Sequence, residues 1–257
     1  MKRLLVLFAA VLLLAGCARA ANIKGPKGVP LVAPGQLTVC THLSFAPFQS
    51  VRHGEIVGFD VDLIDLVARD LGLPQKIIDT SFEGIQSGTA YNSNQCDIGT
   101  GGMTITKVRA QNMDFSIPYF DAKQALLCRA TEPADSMDAL RGKQIGVLVG
   151  TTGEEYTRKW NAAHGNPLQV VQFDEMTVEF TGVKTGKVAC AMQDNGPLLD
   201  FAKQNPGLVA TAQFDTGEKL GFGVRKGNTV MRTEIDRVLR KAYADGTYAR
   251  LYKKWFT

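Results

Sequence analysis

From Gln36 onward the chain alternates short β-branched runs with amphipathic stretches, and few folds accommodate that rhythm. Leu37-Thr38-Val39-Cys40-Thr41 reads as a strand, followed by a polar and aromatic loop from His42 to Phe48. Val61, Ile64, Val67 and Leu71 share one helical face, with Asp62, Asp65 and Arg69 turned away from it. Gly72 and Pro74 stop that helix, Lys76-Ile77-Ile78 starts a second strand, and Asp97-Ile98-Gly99-Thr100 makes a third. A second unit of the same kind begins near residue 124. There, residues 143–148 predict a strand and Gly150-Thr151-Thr152-Gly153 opens a helix over 154–162. Residues 188–192 predict a further strand that ends at Gln193-Asp194, and 229–243 is amphipathic through Met231, Ile235, Val238, Leu239 and Ala242. Strands alternating with helices predict an α/β protein with a parallel sheet covered on both faces. The length suits two modest lobes, and a cleft between lobes is a common place for a ligand.

The N-terminus addresses the compartment. Met1-Lys2-Arg3 is basic and residues 4–14 form an unbroken apolar run. A spanning helix needs roughly 20 residues, so the run reads as an export signal. Its end, Leu14-Ala15-Gly16-Cys17, resembles the bacterial lipobox. That implies a signal peptide over 1–16, cleavage before Cys17, and acylation of the Cys17 thiol. Two acyl chains give stable anchoring, so the protein is expected outside the cytoplasm, tethered to a membrane. No later segment reads as a transmembrane helix. Residues 18–34, with Gly25, Pro26, Gly28, Pro30 and Pro34, read as a flexible stalk.

Removing Lys2 and Arg3 lowers the formal charge from +4 to +2. So small and dispersed a charge argues against nucleic acid as a partner. Of five cysteines, Cys40, Cys96, Cys128 and Cys190 remain after lipidation. An even number in an exported chain points to disulfides, and four cysteines allow three connectivities. No CxxC or Cys/His spacing suggests a metal, and no cofactor is implied.

Several stretches together resemble family 3 solute-binding proteins, the receptors of polar amino-acid ABC importers. They are Leu43-Ser44-Phe45-Ala46-Pro47-Phe48, Gly58-Phe59-Asp60-Val61-Asp62-Leu63, and Gly102-Met103-Thr104-Ile105-Thr106 with Arg109. Further on come Asp114-Phe115-Ser116-Ile117-Pro118-Tyr119-Phe120, Gly150-Thr151-Thr152-Gly153-Glu154-Glu155-Tyr156, and Asp245-Gly246-Thr247-Tyr248 with Tyr252-Lys253-Lys254-Trp255-Phe256. The match runs in order over 36–257. It implies a type II periplasmic-binding fold in which two lobes close on a ligand like a hinged trap. Lobe 1 would take 36–123 and 221–257, and lobe 2 would take 124–220. The crossovers would lie near 120–124 and 218–223, where Gly221 and Gly223 could absorb the hinge rotation. In that fold Cys40 and Cys96 lie on neighbouring strands, which implies intralobe pairs Cys40–Cys96 and Cys128–Cys190. The implied activity is capture of a free L-amino acid and its delivery to the permease subunits of an ABC importer.

The resemblance also implies a ligand set of His42, Phe45, Phe82, Gly102, Met103, Thr104, Arg109, Leu148, Thr151, Thr152 and Asp194. An amino acid carries a carboxylate and an ammonium, and both must be paired in a desolvating cleft. Arg109, with a planar fork, suits the carboxylate, helped by the amides of Thr104 and of Thr152 at a helix N-terminus. Asp194, the Gly102 carbonyl and the Thr104 hydroxyl suit the ammonium. Phe45, Phe82 and Leu148 would wall the aliphatic part. The glycines at 150–153 lack the Gly-Lys-Ser/Thr ending of a phosphate loop, which excludes a nucleotide site.

Two departures from the family pattern matter. His42 stands where receptors for lysine and arginine commonly have an acid, which favours neutral polar or acidic ligands, with glutamine or glutamate fitting best. The stretch 85–95, with Ser87, Gly88, Asn92, Ser93 and Asn94, is more polar than in relatives and predicts a shortened helix beneath the pocket. Dehydratases share this fold, but His42 is the one obvious acid–base candidate and no GxSxG elbow is present. A binding protein is therefore expected, and a third class, a subunit feeding a membrane sensor, stays open.

Overall fold

The computed structural model describes residues 23–257; the signal read at 1–16 and the lipobox Cys17 lie outside the described residues. Residues 23–34 are not a loose stalk. Ile23–Lys24 pairs with Pro30–Leu31, and Val29 and Leu31 are buried against the first lobe. The Val32 amide donates to Asp97 Oδ1 at 2.7 Å, while Asp97 Oδ2 accepts from the Thr38 amide at 2.9 Å. Two apolar anchors and one buried carboxylate outweigh the turn-rich composition.

Along the chain the strands are β1 (Leu37–Thr41), β2 (Gln75–Asp79), β3 (Ile98–Gly99), β4 (Met113–Phe115), β5 (Phe120–Arg129), β6 (Gln144–Leu148), β7 (Gln169–Phe173), β8 (Cys190–Asp194), β9 (Leu208–Leu220) and β10 (Gly223–Arg225). They form two five-stranded sheets, ordered β2-β1-β3-β10-β4 and β7-β6-β8-β5-β9. A small β-ribbon, Ser50–Arg52 with Glu55–Val57, lies outside both. Every residue of β1 is buried, as a strand covered on both faces requires.

Helix α1 (Phe59–Asp70) covers the first sheet with Phe59, Leu63, Ile64, Val67 and Ala68. Each of the four larger side chains, fully buried, contributes roughly 1.5–3 kcal/mol as an upper estimate. The helix under the cleft is broken. α2 (Phe82–Gln86) stops at Ser87, and α3 (Thr89–Asn92) resumes after Gly88, whose φ of +81° is costly for any other residue. In the second lobe α4 (Thr152–Ala163), α5 (Met176–Thr185) and α6 (Asn195–Gln204) pack on the sheet, and α7 (Thr229–Ala244) and α8 (Thr247–Phe256) return to the first lobe.

The sheets are mixed rather than parallel. β1 runs parallel to β2 and β3, and β6 to β7 and β8, but β5 and β9 are antiparallel to their neighbours, as is β10. The cause is the traffic between lobes. β5 leaves the first lobe, β9 comes back, and the two pair across the gap at Phe120↔Leu220, Asp121↔Lys219 and Ala122↔Glu218. Gly221 and Gly223, expected as swivels, have no positive φ. A Cβ on Gly223 would lie 2.4 Å from the Tyr91 hydroxyl, and one on Gly221 2.8 Å from Ile105 Cδ1. What the structure requires of both is smallness.

An aromatic cluster anchors the first crossover. The Phe120 ring lies 5.0 Å from Phe48 and 4.9 Å from Phe256, and Tyr119 stacks on Phe222 at 4.2 Å. One disulfide ties each lobe internally, Cys40–Cys96 in the first with Cα atoms 5.6 Å apart and Cys128–Cys190 in the second with Cα atoms 4.3 Å apart.

Candidate functional site

Between the lobes lies a cavity built from the C-terminal ends of strands, the usual ligand position in open α/β sheets. The first lobe lines it with His42, Phe45, Phe82, Gly102, Thr104 and Arg109. The second contributes Leu148, Thr151, Thr152 and Asp194. Gln49, Gly101 and Gln193 also face it, and the two glutamines were not singled out from the sequence. Met103 does not line it. Its side chain is fully buried beside Cys40, Tyr91 and Met113, so only its backbone belongs to the loop.

The glycine loop after β3 is held from behind. Asp60, fully buried at the start of α1, accepts hydrogen bonds from the Thr100 hydroxyl and from the amides of Gly101 and Gly102 at 3.3 and 3.1 Å. Burial pushes its carboxyl up to about 6 against the pull of those donors. Gly102 has φ +59°, and a Cβ there would sit 2.6 Å from the Phe45 ring. In the sequence Asp60 is visible only as part of the Gly58–Leu63 stretch; its place behind the loop is a product of the fold.

Arg109 is 6% exposed. Its Nη1 donates to the Thr104 carbonyl at 2.9 Å, its Nε to Gln86 Oε1 at 3.1 Å, and its Nη2 to the Gly150 carbonyl of the opposite lobe at 3.0 Å. The Phe82 ring lies beneath the guanidinium at 5.1 Å, so Phe82 supports the cation as well as walling the cavity. Three of the five N–H donors are used, and one hydrogen on each terminal nitrogen remains for a carboxylate. Burial lowers the guanidinium's pKa, while Asp194, Glu218, Glu155 and Glu83 oppose that.

Helix α4 starts at the cavity. Its cap, Thr151, accepts from the Glu154 amide at 3.2 Å and donates to the Leu148 carbonyl at 2.7 Å, so its hydroxyl is committed. The first amides of the helix, at Thr152 and Gly153, have no intrahelical acceptor and are free to meet an anion.

Asp194 stands at the start of α6 but makes no side-chain cap. It accepts instead from Gln124 Nε2 at 2.7 Å. Burial, reinforced by the charge of Glu218, raises its carboxyl to about 7. Gln124 and Glu218 both sit on the crossover strands, and neither was foreseen. Glu218 Oε2 is 3.1 Å from the Thr104 hydroxyl and 2.8 Å from the Thr152 hydroxyl.

At the outer end, His42 Nδ1 lies 3.1 Å from the Thr80 carbonyl, which makes Nδ1 the donor. Its Nε2 faces Glu175 Oε2 of the second lobe at 3.5 Å. Behind the cavity, Gln193 Nε2 donates to Glu179 at 2.9 Å, and burial raises the Glu179 carboxyl to about 8. No group of side chains suited to holding a metal occurs among the described residues.

One buried cation and one buried carboxylate thus share a cavity with apolar walls. Such a site can hold a small zwitterion. The model of the bacterial extracellular solute-binding proteins, family 3, matches residues 37–257. The ABC transporter glutamine-binding protein GlnH of Bacillus subtilis (strain 168) is 31% identical over 207 residues, 79% of this chain and 73% of that one. ABC transporter arginine-binding protein 1 of Escherichia coli (strain K12) is 27% identical over 221 residues, 83% of this chain and 87% of that one. Among solved structures, an ancestral arginine-binding protein bound to arginine superposes with a TM-score of 0.81 at 36% identity, covering 87% of this chain and 99% of that one.

Proposed function

We propose that this chain, which belongs to the bacterial extracellular solute-binding proteins of family 3, captures a free L-amino acid between its lobes and delivers it to the permease subunits of an ABC importer. The observation that carries the reading is the pairing of Arg109 and Asp194 across one buried cavity. Arg109, with the amides of Thr104 and Thr152, takes the α-carboxylate. Asp194, the Gly102 carbonyl and the Thr104 hydroxyl take the α-ammonium. Lobe 1 would comprise 36–123 and 221–257 and lobe 2 residues 124–220, with closure on the crossover pair. Delivery from the outer face of a membrane follows from lipidation at Cys17. A receptor rather than a catalyst is favoured because both ring nitrogens of His42, the one histidine lining the cavity, face acceptors, the Thr80 carbonyl and Glu175.

For the side chain, glutamine is the leading candidate. His42 can hydrogen-bond an amide, whereas a glutamate carboxylate would meet Glu175 as a like charge. A second reading, a basic amino acid, is favoured by that same Glu175, which supplies at the cleft mouth the acid that His42 does not. A thermal-shift screen against the twenty amino acids tests both. A ligand at 100 times its Kd adds about 2.7 kcal/mol to folded-state stability, so one or a few amino acids should raise Tm by several degrees. A flat screen at millimolar concentrations would sink the receptor reading, and arginine ahead of glutamine would select the second.

A further inference from the structure

We infer that Glu218, on the second crossover strand, positions the α-ammonium of the captured amino acid by orienting the Thr104 and Thr152 hydroxyls and by adding a second negative charge beside Asp194. This rests on the amino-acid reading above.

Around Glu218 the acceptors outnumber the donors. A carboxylate only accepts, and a threonine hydroxyl has one proton. With Glu218 Oε2 at 3.1 Å from Thr104 Oγ1 and 2.8 Å from Thr152 Oγ1, both hydroxyls donate to it. Their own approach to each other, 3.3 Å, is then left without a proton. Gln124 Nε2 has two hydrogens, yet it lies within 3.3 Å of Asp194 Oδ1, Thr152 Oγ1 and both oxygens of Glu218. Thr216 adds one donor, to Glu218 Oε1 at 2.9 Å. The cluster therefore holds two carboxylates and a surplus of lone pairs against too few hydrogens. The nearest cation, Arg109, has its bound hydrogens on Thr104, Gly150 and Gln86.

A group that brings three hydrogens and one positive charge completes this cluster, and an α-ammonium is such a group. Glu218 turns the two hydroxyl protons toward itself, so the lone pairs of Thr104 are presented outward as acceptors. Thr104 comes from the first lobe, Thr152 from the second, and Glu218 from the strand between them. Thr104 is bridged to Leu220, beside Glu218, so the contact with Thr152 is the one that ties ammonium binding to the approach of the second lobe.

The test compares wild type with Glu218→Gln, which keeps shape and removes charge. The probes are L-glutamine and L-arginine, or another of the twenty amino acids should it win the screen. Each is titrated beside the 2-hydroxy acid of the same side chain, which lacks the ammonium. Circular dichroism and melting confirm folding; if Glu218→Gln does not fold, Glu218→Asp keeps the charge and should hold the amino-to-hydroxy affinity ratio within about threefold of wild type, whereas a tenfold loss there would overturn the inference. In Glu218→Gln the amino acid should bind at least about tenfold more weakly, as loss of one partner of a buried charge pair entails. The hydroxy acid should change by less than about twofold, so the ratio falls at least about fivefold. Equal losses for both would make Glu218 merely structural, and no loss would remove it from the site. Wild-type protein that binds no amino acid would overturn the receptor reading itself and take this inference with it.

Discussion

Asp194→Asn should make the ligand-free protein more stable and nearly useless for binding. Asp194 is 6% exposed, and its carboxyl is pushed from the ordinary 3.8 up to about 7, first by burial and then by the charge of Glu218. A carboxyl whose pKa is raised on folding holds its proton more tightly folded than unfolded. Stability therefore falls as pH rises from about 3.8 to about 7, and is level beyond. One unit is worth about 1.4 kcal/mol, so the buried charge costs at most about 4 kcal/mol at pH 8. Asparagine removes that cost and can still accept from Gln124. We expect a gain of about 2–4 kcal/mol at pH 8 that shrinks to nothing by about pH 4. Urea denaturation of the ligand-free, disulfide-intact protein at pH 4, 6 and 8 measures it. Glu179 titrates in both proteins and cancels in the difference. Calorimetry on the same samples should show amino-acid affinity at least about 100-fold lower. An unchanged midpoint at pH 8, or a gain equally large at pH 4, would refute the electrostatic argument.

Arg109→Lys should fold yet bind at least tenfold more weakly, a loss above about 1.4 kcal/mol, because one ammonium cannot serve Thr104, Gly150, Gln86 and a carboxylate together; calorimetry decides. Cys17→Ser should move the protein out of the membrane fraction, and retention after a carbonate wash would mean that the signal is uncleaved. His42→Asp should raise the arginine-to-glutamine affinity ratio at least about tenfold by adding an anion beside Glu175. Glu175→Gln should lower that ratio, and insensitivity to both changes would place side-chain recognition elsewhere.

Much of the fold was legible because the strands and helices that wrap each lobe carry their own periodicity. Leu37–Thr41 and Gln144–Leu148 are local apolar runs, and α1 declares its buried face through Ile64, Val67 and Leu71. The crossing strands were legible only through the family resemblance, not from their own periodicity. In β9 the half-buried positions of the return leg are Phe214, Thr216 and Glu218, a largely polar set that hydropathy does not distinguish from a surface loop. Their partners lie far off in sequence: Gln124 meets Glu218 across 94 residues, and nothing local announces such a contact. The expectation of parallel sheets failed for the same reason, since the antiparallel strands β5, β9 and β10 make the crossings between lobes or continue directly from them. In the site, Arg109, Phe45 and Thr152 were legible from motifs and Asp194 from its place at the end of a predicted strand, and all four stand at the cavity. Asp60, Gln124 and Glu218 stand behind it, hydrogen-bonded to residues that line it, a position that only a folded chain displays. Val29 and Leu31 were hidden among prolines and glycines that advertise a linker.

On the proposed function, one cavity recognises both charges of an amino acid at once. Calorimetric titration of the amino acid chosen by the screen, beside its decarboxylated amine and its deaminated acid, tests that claim directly. A single site is expected for the intact amino acid, with each truncated analogue at least about 100-fold weaker because a buried partner, Arg109 or Asp194, is left unpaired. Binding of either analogue within about tenfold of the amino acid would contradict it.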